Sequence, residues 1–275
     1  MSQESTLRYF GWSSFSFESG GGTVLFDPLY RKLFGRAWAS LYDFHSAKVI
    51  CVTHGHFDHY VDVAAVQKQT DAVVVSSHEV CEHLRAKSKV RSQKLIVAEP
   101  FQEIDVCGFR ITPFEWGHRE VRISRFVKEG FLKAAFLPMI QFAWLNLVSA
   151  PFNAPYLGFH VVDSTGMRLT NYCEGFSDAM NIEEVRQLAR RLTTDVLIAG
   201  AQLDFEKHVA EGVAAMSPRK VVLFHPHEIF FERLGLKSSP TETFVSAVRR
   251  VLPQAEVIVA RPMSSYTMCA SPWSG

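Results

Sequence analysis

The stretch Thr53-His54-Gly55-His56-Phe57-Asp58-His59 follows directly on the apolar run Lys48-Val49-Ile50-Cys51-Val52. A short β-branched run of this kind reads as a buried strand, and the polar cluster stands where that strand would stop. Such a group is costly to desolvate unless something binds it, so it constrains any fold that buries the strand. Two imidazoles separated by one residue can converge on one cation if the backbone turns between them, a turn that Gly55 permits. Asp58 and His59 then face a second position. Neutral imidazole and carboxylate are ligands that zinc, iron and manganese accept. The plainer reading is a surface histidine cluster, or an N-capping loop in which Thr53 or Asp58 caps a helix starting near Tyr60.

Bulk properties narrow the class. The chain has 275 residues, 47% of them hydrophobic, enough for a sizeable core in a single layered α/β domain over 1–275. A net charge of +1 gives no electrostatic footprint for nucleic acid, so no such partner is expected. The cysteines Cys51, Cys81, Cys107, Cys173 and Cys269 are odd in number and contain no CxxC pair, as for reduced thiols. The N-terminus is polar and lacks an apolar signal core. A cytoplasmic location is therefore expected.

Along the chain, Leu7 to Phe17 alternates into Gly20-Gly21-Gly22, and Thr23-Val24-Leu25-Phe26 follows, which predicts a hairpin closed by Asp27-Pro28. Asp27 reads either as a group that orients a ligand or as an Asx turn before proline. Helices are predicted over 61–69, 78–86, 182–192, 205–216 and 242–251. Strands are predicted over 72–76, 94–97, 102–106, 109–113, 158–162, 167–172, 195–199, 220–224 and 255–260. His78 and His83 read as surface residues of their helix, and His208 reads equally as a surface or a functional residue. His118, after a strand and Gly117, is a candidate third ligand. The two halves each run strands then helices, compatible with a layered sandwich or a weak internal duplication.

Residues 134–162 contain no Asp, Glu, Lys or Arg, and 131–148 is nearly all apolar. This insertion, about 122–157, approaches the length of a membrane span, but Pro138, Gln141 and Asn146 interrupt it. It reads as a buried or dimer-interface helix, as a lid over a hydrophobic substrate pocket, or as an interfacial helix on an anionic membrane.

The HxHxDH spacing of His54, His56, Asp58 and His59 resembles the signature of the metallo-β-lactamase superfamily. Tyr9-Phe10-Gly11-Trp12-Ser13-Ser14-Phe15 and Val24-Leu25-Phe26-Asp27-Pro28 are similar to the first hairpin of its lactonase-like hydrolase branch. The resemblance implies a four-layer αββα sandwich holding two divalent ions, zinc first, with iron or manganese as alternatives. It implies His54, His56 and His118 on one ion, Asp58, His59 and His225 on the other, and Glu174 bridging both. His227 rivals His225, which is preferred here because it stands directly at the end of an apolar strand. The family usually has Gly-Asp-Thr where this chain has Cys173-Glu174-Gly175, so metal spacing or choice is open. Cys173 reads as a buried small hydrophobe or as a soft donor.

Such a site implies metal-assisted hydrolysis. Two ions would lower the pKa of a bridging water toward about 7, and the resulting hydroxide would attack an ester, lactone or phosphodiester. Asp58 is placed to handle the nucleophile's proton, while His227 and Glu228 would contact substrate or support ligands. The 131–157 segment suggests a small-molecule or lipid-like substrate with a hydrophobic part, and contact with a second subunit or a membrane surface. A di-iron oxidoreductase on the same scaffold and a non-catalytic binding protein are the alternatives.

Overall fold

In the computed structural model, residues 4–119, 144–145, 151, 153–233 and 240–268 are described. Among them, fourteen strands occur in chain order: β1 (Ser5–Gly11), β2 (Ser14–Ser19), β3 (Gly22–Phe26), β4 (Val49–Cys51), β5 (Val73–Ser76), β6 (Leu95–Val97), β7 (Ile104–Val106), β8 (Phe109–Glu115), β9 (Leu157–Val162), β10 (Arg168–Asn171), β11 (Val196–Gly200), β12 (Lys220–Phe224), β13 (Glu256–Val259) and β14 (Ser264–Met268). They form two seven-stranded sheets, ordered β14-β1-β2-β3-β4-β5-β6 and β13-β12-β11-β10-β9-β8-β7. In the first sheet the antiparallel set is β14, β1, β2 and β3, and β3 to β6 are parallel. The second repeats this arrangement, antiparallel from β7 to β10 and parallel from β10 to β13. This shared pattern supports the internal duplication suggested by the order of elements.

Period-two alternation produces the layers, because successive side chains leave a strand on opposite faces. Val24, Phe26, Val49, Cys51 and Val75 of the first sheet pack with Phe159, Val161, Ile198, Val222 and Phe224 of the second. Their neighbours Leu25, Ile50, Val52 and Val74 turn outward, to Val63 and Val66 of α2 (Val63–Thr70) and Val80 and Leu84 of α3 (His78–Ser88). On the other side, Leu197, Ala199, Val221 and Leu223 meet three helices. These are α4 (Ile182–Arg191), α5 (Glu206–Met216) and α7 (Thr241–Val251), through Val185, Leu188, Val209, Val213, Phe244 and Val248. The architecture is therefore helix–sheet–sheet–helix, the four-layer αββα sandwich expected. The parallel strands at its centre are buried on both faces, which is why they read as unbroken apolar runs.

Several elements differ from the sequence expectation. Leu7 to Phe17 is two strands, because the chain reverses at Trp12, which adopts φ +54°. Gly11, at φ +105°, leads into this turn, and the Tyr9 hydroxyl donates to the Trp12 carbonyl at 2.8 Å and holds it. The helix predicted over 61–69 is α2, and a separate single turn that was not predicted, α1 (Phe57–Tyr60), precedes it. Buried Asp62 stands between them and accepts from the backbone N–H groups of Tyr30 and Arg31. β14 and α6 (Glu228–Arg233) were not anticipated; β14 is a polar edge strand defined by its pairing with β1 rather than by composition. The 131–157 segment lies mostly outside the described residues, and with it the dimer and membrane readings. Among the described residues no helix is long and apolar enough to cross a membrane.

His160 on β9 is 4% exposed, with Nδ1 against Thr170 Oγ1 at 2.9 Å. Burial pushes its imidazole down to about 4, so the unfolded chain takes the proton first as pH falls. Stability should therefore be lost between about pH 6.5 and pH 4 and be unaffected above, with His160 accounting for about 2.5 kcal/mol by pH 4.5. Urea unfolding at pH 7.5 and 4.5 should show a smaller acid loss in His160→Gln than in the wild type; equal losses would contradict this account.

Candidate metal centre

The carboxyl ends of β3, β4, β8, β10 and β12 lead into the loops that carry the predicted site, as is common for ligand sites in parallel sheets. Asp27 follows β3 in a left-handed conformation, φ +42°, which aspartate tolerates better than most residues. Its fully buried carboxylate accepts from Thr53 N–H (2.7 Å), Thr53 Oγ1–H (2.6 Å) and His59 Nδ1–H (2.8 Å). Because the Thr53 proton goes to Asp27, its oxygen is left to accept from His54 Nδ1–H at 3.0 Å. Both imidazoles therefore carry their proton on Nδ1 and present Nε2 away from Asp27. Asp27 is thus the orienting group, and the Asx-turn reading is set aside.

His54, His56 and His118 form one donor set, with ligand atoms all within 4.8 Å of one another. His118 gives its Nδ1–H to the Arg119 carbonyl at 2.8 Å, leaving Nε2 as a lone pair. Gly55 is not at positive φ; its role is close approach, since a Cβ there would lie 2.0 Å from the Pro151 carbonyl oxygen. A second set adjoins the first. His59 Nε2 lies 3.6 Å from Asp58 Oδ2 and 3.6 Å from Glu174 Oε1, and His227 Nε2 lies 3.6 Å from Glu174 Oε1 and 4.0 Å from Asp58 Oδ2. Ligands about 2.1 Å from one tetrahedral ion stand about 3.4 Å apart, so this spacing fits a shared cation better than direct hydrogen bonds.

The preferred last ligand is corrected here. His225 turns away, its Nε2 meeting Thr241 Oγ1 at 2.8 Å and its ring packing edge-on to Phe244 of α7. Strand alternation is the reason, since His225 continues the outward face of Leu223 whereas His227, past the bend at Pro226, comes back to the site. Glu228 is exposed at the start of α6.

The electrostatics suit a cation. His54 Nε2 and Asp58 Oδ1 are buried without a hydrogen-bond partner among the described residues, a costly arrangement that ligation would relieve. Burial keeps His54 well below its ordinary pKa and lowers His56 to about 4, so both offer lone pairs at neutral pH. Burial opposes protonation of His59 too, but Asp58 and Asp27 outweigh it and hold its pKa well above the usual value. Burial likewise works against ionisation of Glu174, yet His227 and His59 keep it far below the carboxylate range. A cation taking His59 Nε2 would displace that proton, so uptake should release protons. Burial pushes Cys173 up to about 11; although its Sγ lies within 4.8 Å of donor atoms of His54 and His59, it stands on the Thr53 side, 3.8 Å from that hydroxyl.

Sequence reasoning missed four contributors. Ser13 Oγ donates to Glu174 Oε1 at 3.3 Å, Gln202 Nε2 donates to the Glu174 carbonyl, and Trp116 and Tyr156 pack around the histidines. Gln202 and Tyr156 lie in no motif, and neither Ser13, within the Tyr9–Phe15 stretch, nor Trp116, two residues before His118, is marked by its residue type.

Residues 12–132 match the model of the metallo-β-lactamase superfamily. A UPF0173 metal-dependent hydrolase of Salinibacter ruber is 34% identical over 119 residues, 43% of this chain and 47% of that protein. The chain spans roughly a third to a half of the length of the curated relatives it matches. Igni18, a metallo hydrolase of Ignicoccus hospitalis, is 17% identical with a TM-score of 0.69, covering 98% of this chain and 100% of that one. CmlA, a diiron β-hydroxylase of Streptomyces venezuelae, is 11% identical with a TM-score of 0.62, covering 98% of this chain and 55% of that one. Over residues 12–132 the sequence is thus similar to the metallo-β-lactamase superfamily, and the fold as a whole is similar to that of Igni18.

Asp27→Asn should weaken zinc binding about 10- to 100-fold, because the amide has one acceptor oxygen where the carboxylate has two and turns its NH2 toward one of the three Thr53 and His59 donors. Competition titration with a chromogenic chelator measures this; affinity within twofold of wild type would show that Asp27 does not orient the ligands.

Proposed function

We propose that the chain is a metal-dependent hydrolase with two adjoining ion positions, one held by His54, His56 and His118 and the other by Asp58, His59, His227 and Glu174. One observation carries the reading: residues from four loops bring imidazole nitrogens and carboxylate oxygens together at ligand spacing. Ions bound there would lower the pKa of water toward about 7 and polarise the scissile oxygen. The chain's own groups supply the rest. Asp58 Oδ1, the oxygen with no partner, can take the attacking water's proton and return it to the leaving group. Glu174, fixed by Ser13 and Gln202, faces the second position and is suited to bridging both.

The bond broken is that of an ester, lactone or phosphodiester. An apolar cluster of Trp12, Leu29, Leu33, Phe57 and Ile229, with Trp38 and Leu145 against it, borders the site in sequence at Phe57–Asp58 and His227–Ile229. It favours a substrate with a hydrophobic portion. The described cysteines are unbridged, which favours a reducing, cytoplasmic location.

Zinc is the first choice for this donor set. Glutamate in place of the usual aspartate at position 174 also favours iron, and the fold is shared with a diiron hydroxylase; stoichiometric iron with an oxygen-dependent product would replace hydrolysis by oxidation. For the ligand assignment, His227→Ala should lose at least half of the bound metal and nearly all turnover on an ester, lactone and phosphodiester panel. His225→Ala should keep both and lose only about 1 kcal/mol with its Thr241 bond. The reverse result, by elemental analysis and turnover, would restore His225 as the ligand.

A further inference from the structure

Arg119 follows His118 directly, and its backbone carbonyl accepts from His118 Nδ1–H at 2.8 Å. Its half-buried side chain reaches away from that loop to the turn after β11. There the guanidinium carbon lies over the Phe205 ring, 6.0 Å from its centroid, within the range at which a cation is drawn to an aromatic face. Phe205 N–H donates to the Gln202 carbonyl at 3.1 Å, and Gln202 Nε2 donates to the Glu174 carbonyl. The side chain therefore runs from the loop that carries His118 to the turn that holds Glu174, alongside both donor sets.

The charge of Arg119 is felt in both sets. Burial is the first cause that keeps His118 and His227 below the ordinary imidazole value, and the Arg119 charge adds to it at each. On His227 it acts more strongly than Asp58, whose Oδ2 is 4.0 Å from Nε2, so the guanidinium stands against the second set. A fixed positive charge there opposes the cations that the ligands are arranged to hold, and a neutral side chain would serve the metal better. What a guanidinium offers instead is a planar fork of N–H donors with no acceptor. That fork fits the paired oxygens of a carboxylate or a phosphate.

We propose that Arg119 is a specificity-determining residue whose guanidinium binds an oxyanion group of the substrate, so that the compound cleaved is itself an anion. The group is a carboxylate beside the scissile ester or lactone, or the phosphodiester itself. The role rests on the hydrolase reading for its chemistry, but anion binding requires no turnover.

The test compares wild type with Arg119→Gln and Arg119→Lys, which both keep the backbone carbonyl that holds His118. Zinc affinity by chelator competition should be unchanged or tighter in Arg119→Gln, because a repelling charge is gone. Calorimetric titration of the zinc-loaded protein with dimethyl phosphate, a monoanion, should show binding weakened at least about tenfold in Arg119→Gln. The loss should be smaller in Arg119→Lys, which keeps the charge without the fork. Neutral trimethyl phosphate should bind alike to all three. Turnover is compared on matched pairs, a carboxylate-bearing ester or lactone against its neutral methyl ester, and a phosphodiester against its triester. In the pair that is cleaved, Arg119→Gln should lower kcat/KM for the charged member at least about tenfold relative to the neutral one, and which pair responds identifies the oxyanion. An unchanged ratio, unchanged dimethyl phosphate binding, or no such binding by the wild type overturns the proposal. So does a tenfold loss of zinc affinity in Arg119→Gln, which would make the side chain a support for His118. If dimethyl phosphate binding depends on Arg119 while neither pair is cleaved, the hydrolase reading fails and the anion site stands. If the wild type takes up no zinc, the metal centre fails, and the same titration of the metal-free protein decides the anion site.

Discussion

The buried carboxylate of Asp27 is the point on which the site depends. With no exposure to solvent, an ionised carboxyl is tolerable only if several donors converge on it. Two come from Thr53 and the third from His59. Because those donors belong to the loop after β4, satisfying Asp27 fixes where that loop runs. It also fixes which nitrogen of His54 and His59 carries hydrogen. A local requirement of hydrogen bonding thereby decides the direction of two lone pairs.

This arrangement explains why two sheets are needed. His54, His56, Asp58 and His59 come from the first sheet, whereas His118, Glu174 and His227 come from loops of the second. The inter-sheet core of Phe15, Phe26, Phe159 and Phe224 holds the two sheets together beneath the loops, and close packing of such residues allows little relative movement. A direct tie runs across the top, where Leu157 N–H donates to the Thr53 carbonyl at 2.7 Å. The same β9 segment carries Tyr156, so the register of one strand places both the tie and the phenol.

Much of this was legible in the sequence because it is periodic or local. Apolar runs marked β4, β11 and β12, and amphipathic spacing marked α4 and α7. The His54–His59 cluster marked its own chemistry by residue type and spacing. What could not be read depends on one residue of direction. His225 and His227 are equally good ligands by composition, and His225 is nearer its strand. Side chains alternate along β12, however, so the residue nearest the strand end is turned toward Thr241 and Phe244. Ser13, Gln202 and Tyr156 were illegible for a different reason. Each acts through a neighbour more than twenty residues away in sequence, and no spacing rule reports such a meeting.

The duplicated sheet pattern gives Glu174 a physical reading. Asp27 N–H donates to the Cys51 carbonyl where Phe26 pairs with Cys51, and Tyr172 N–H donates to the Ile198 carbonyl where Asn171 pairs with Ile198. By pairing, the counterpart of Asp27 is therefore Tyr172, and Glu174 stands two residues further along. The first sheet thus places its acid beneath the ligands, as an acceptor that orients them, and the second places its acid among them. Cys173, at φ +51°, makes the intervening turn, while Gly200 leaves room for it, since a Cβ there would lie 3.0 Å from the Cys173 carbonyl oxygen. With its backbone held by Gln202 and its carboxylate by Ser13, Glu174 has its extra methylene accommodated by a displaced loop. The exchange of aspartate for glutamate is then a property of the whole turn, and reverting the side chain alone would leave the shorter carboxylate set back from His59 and His227.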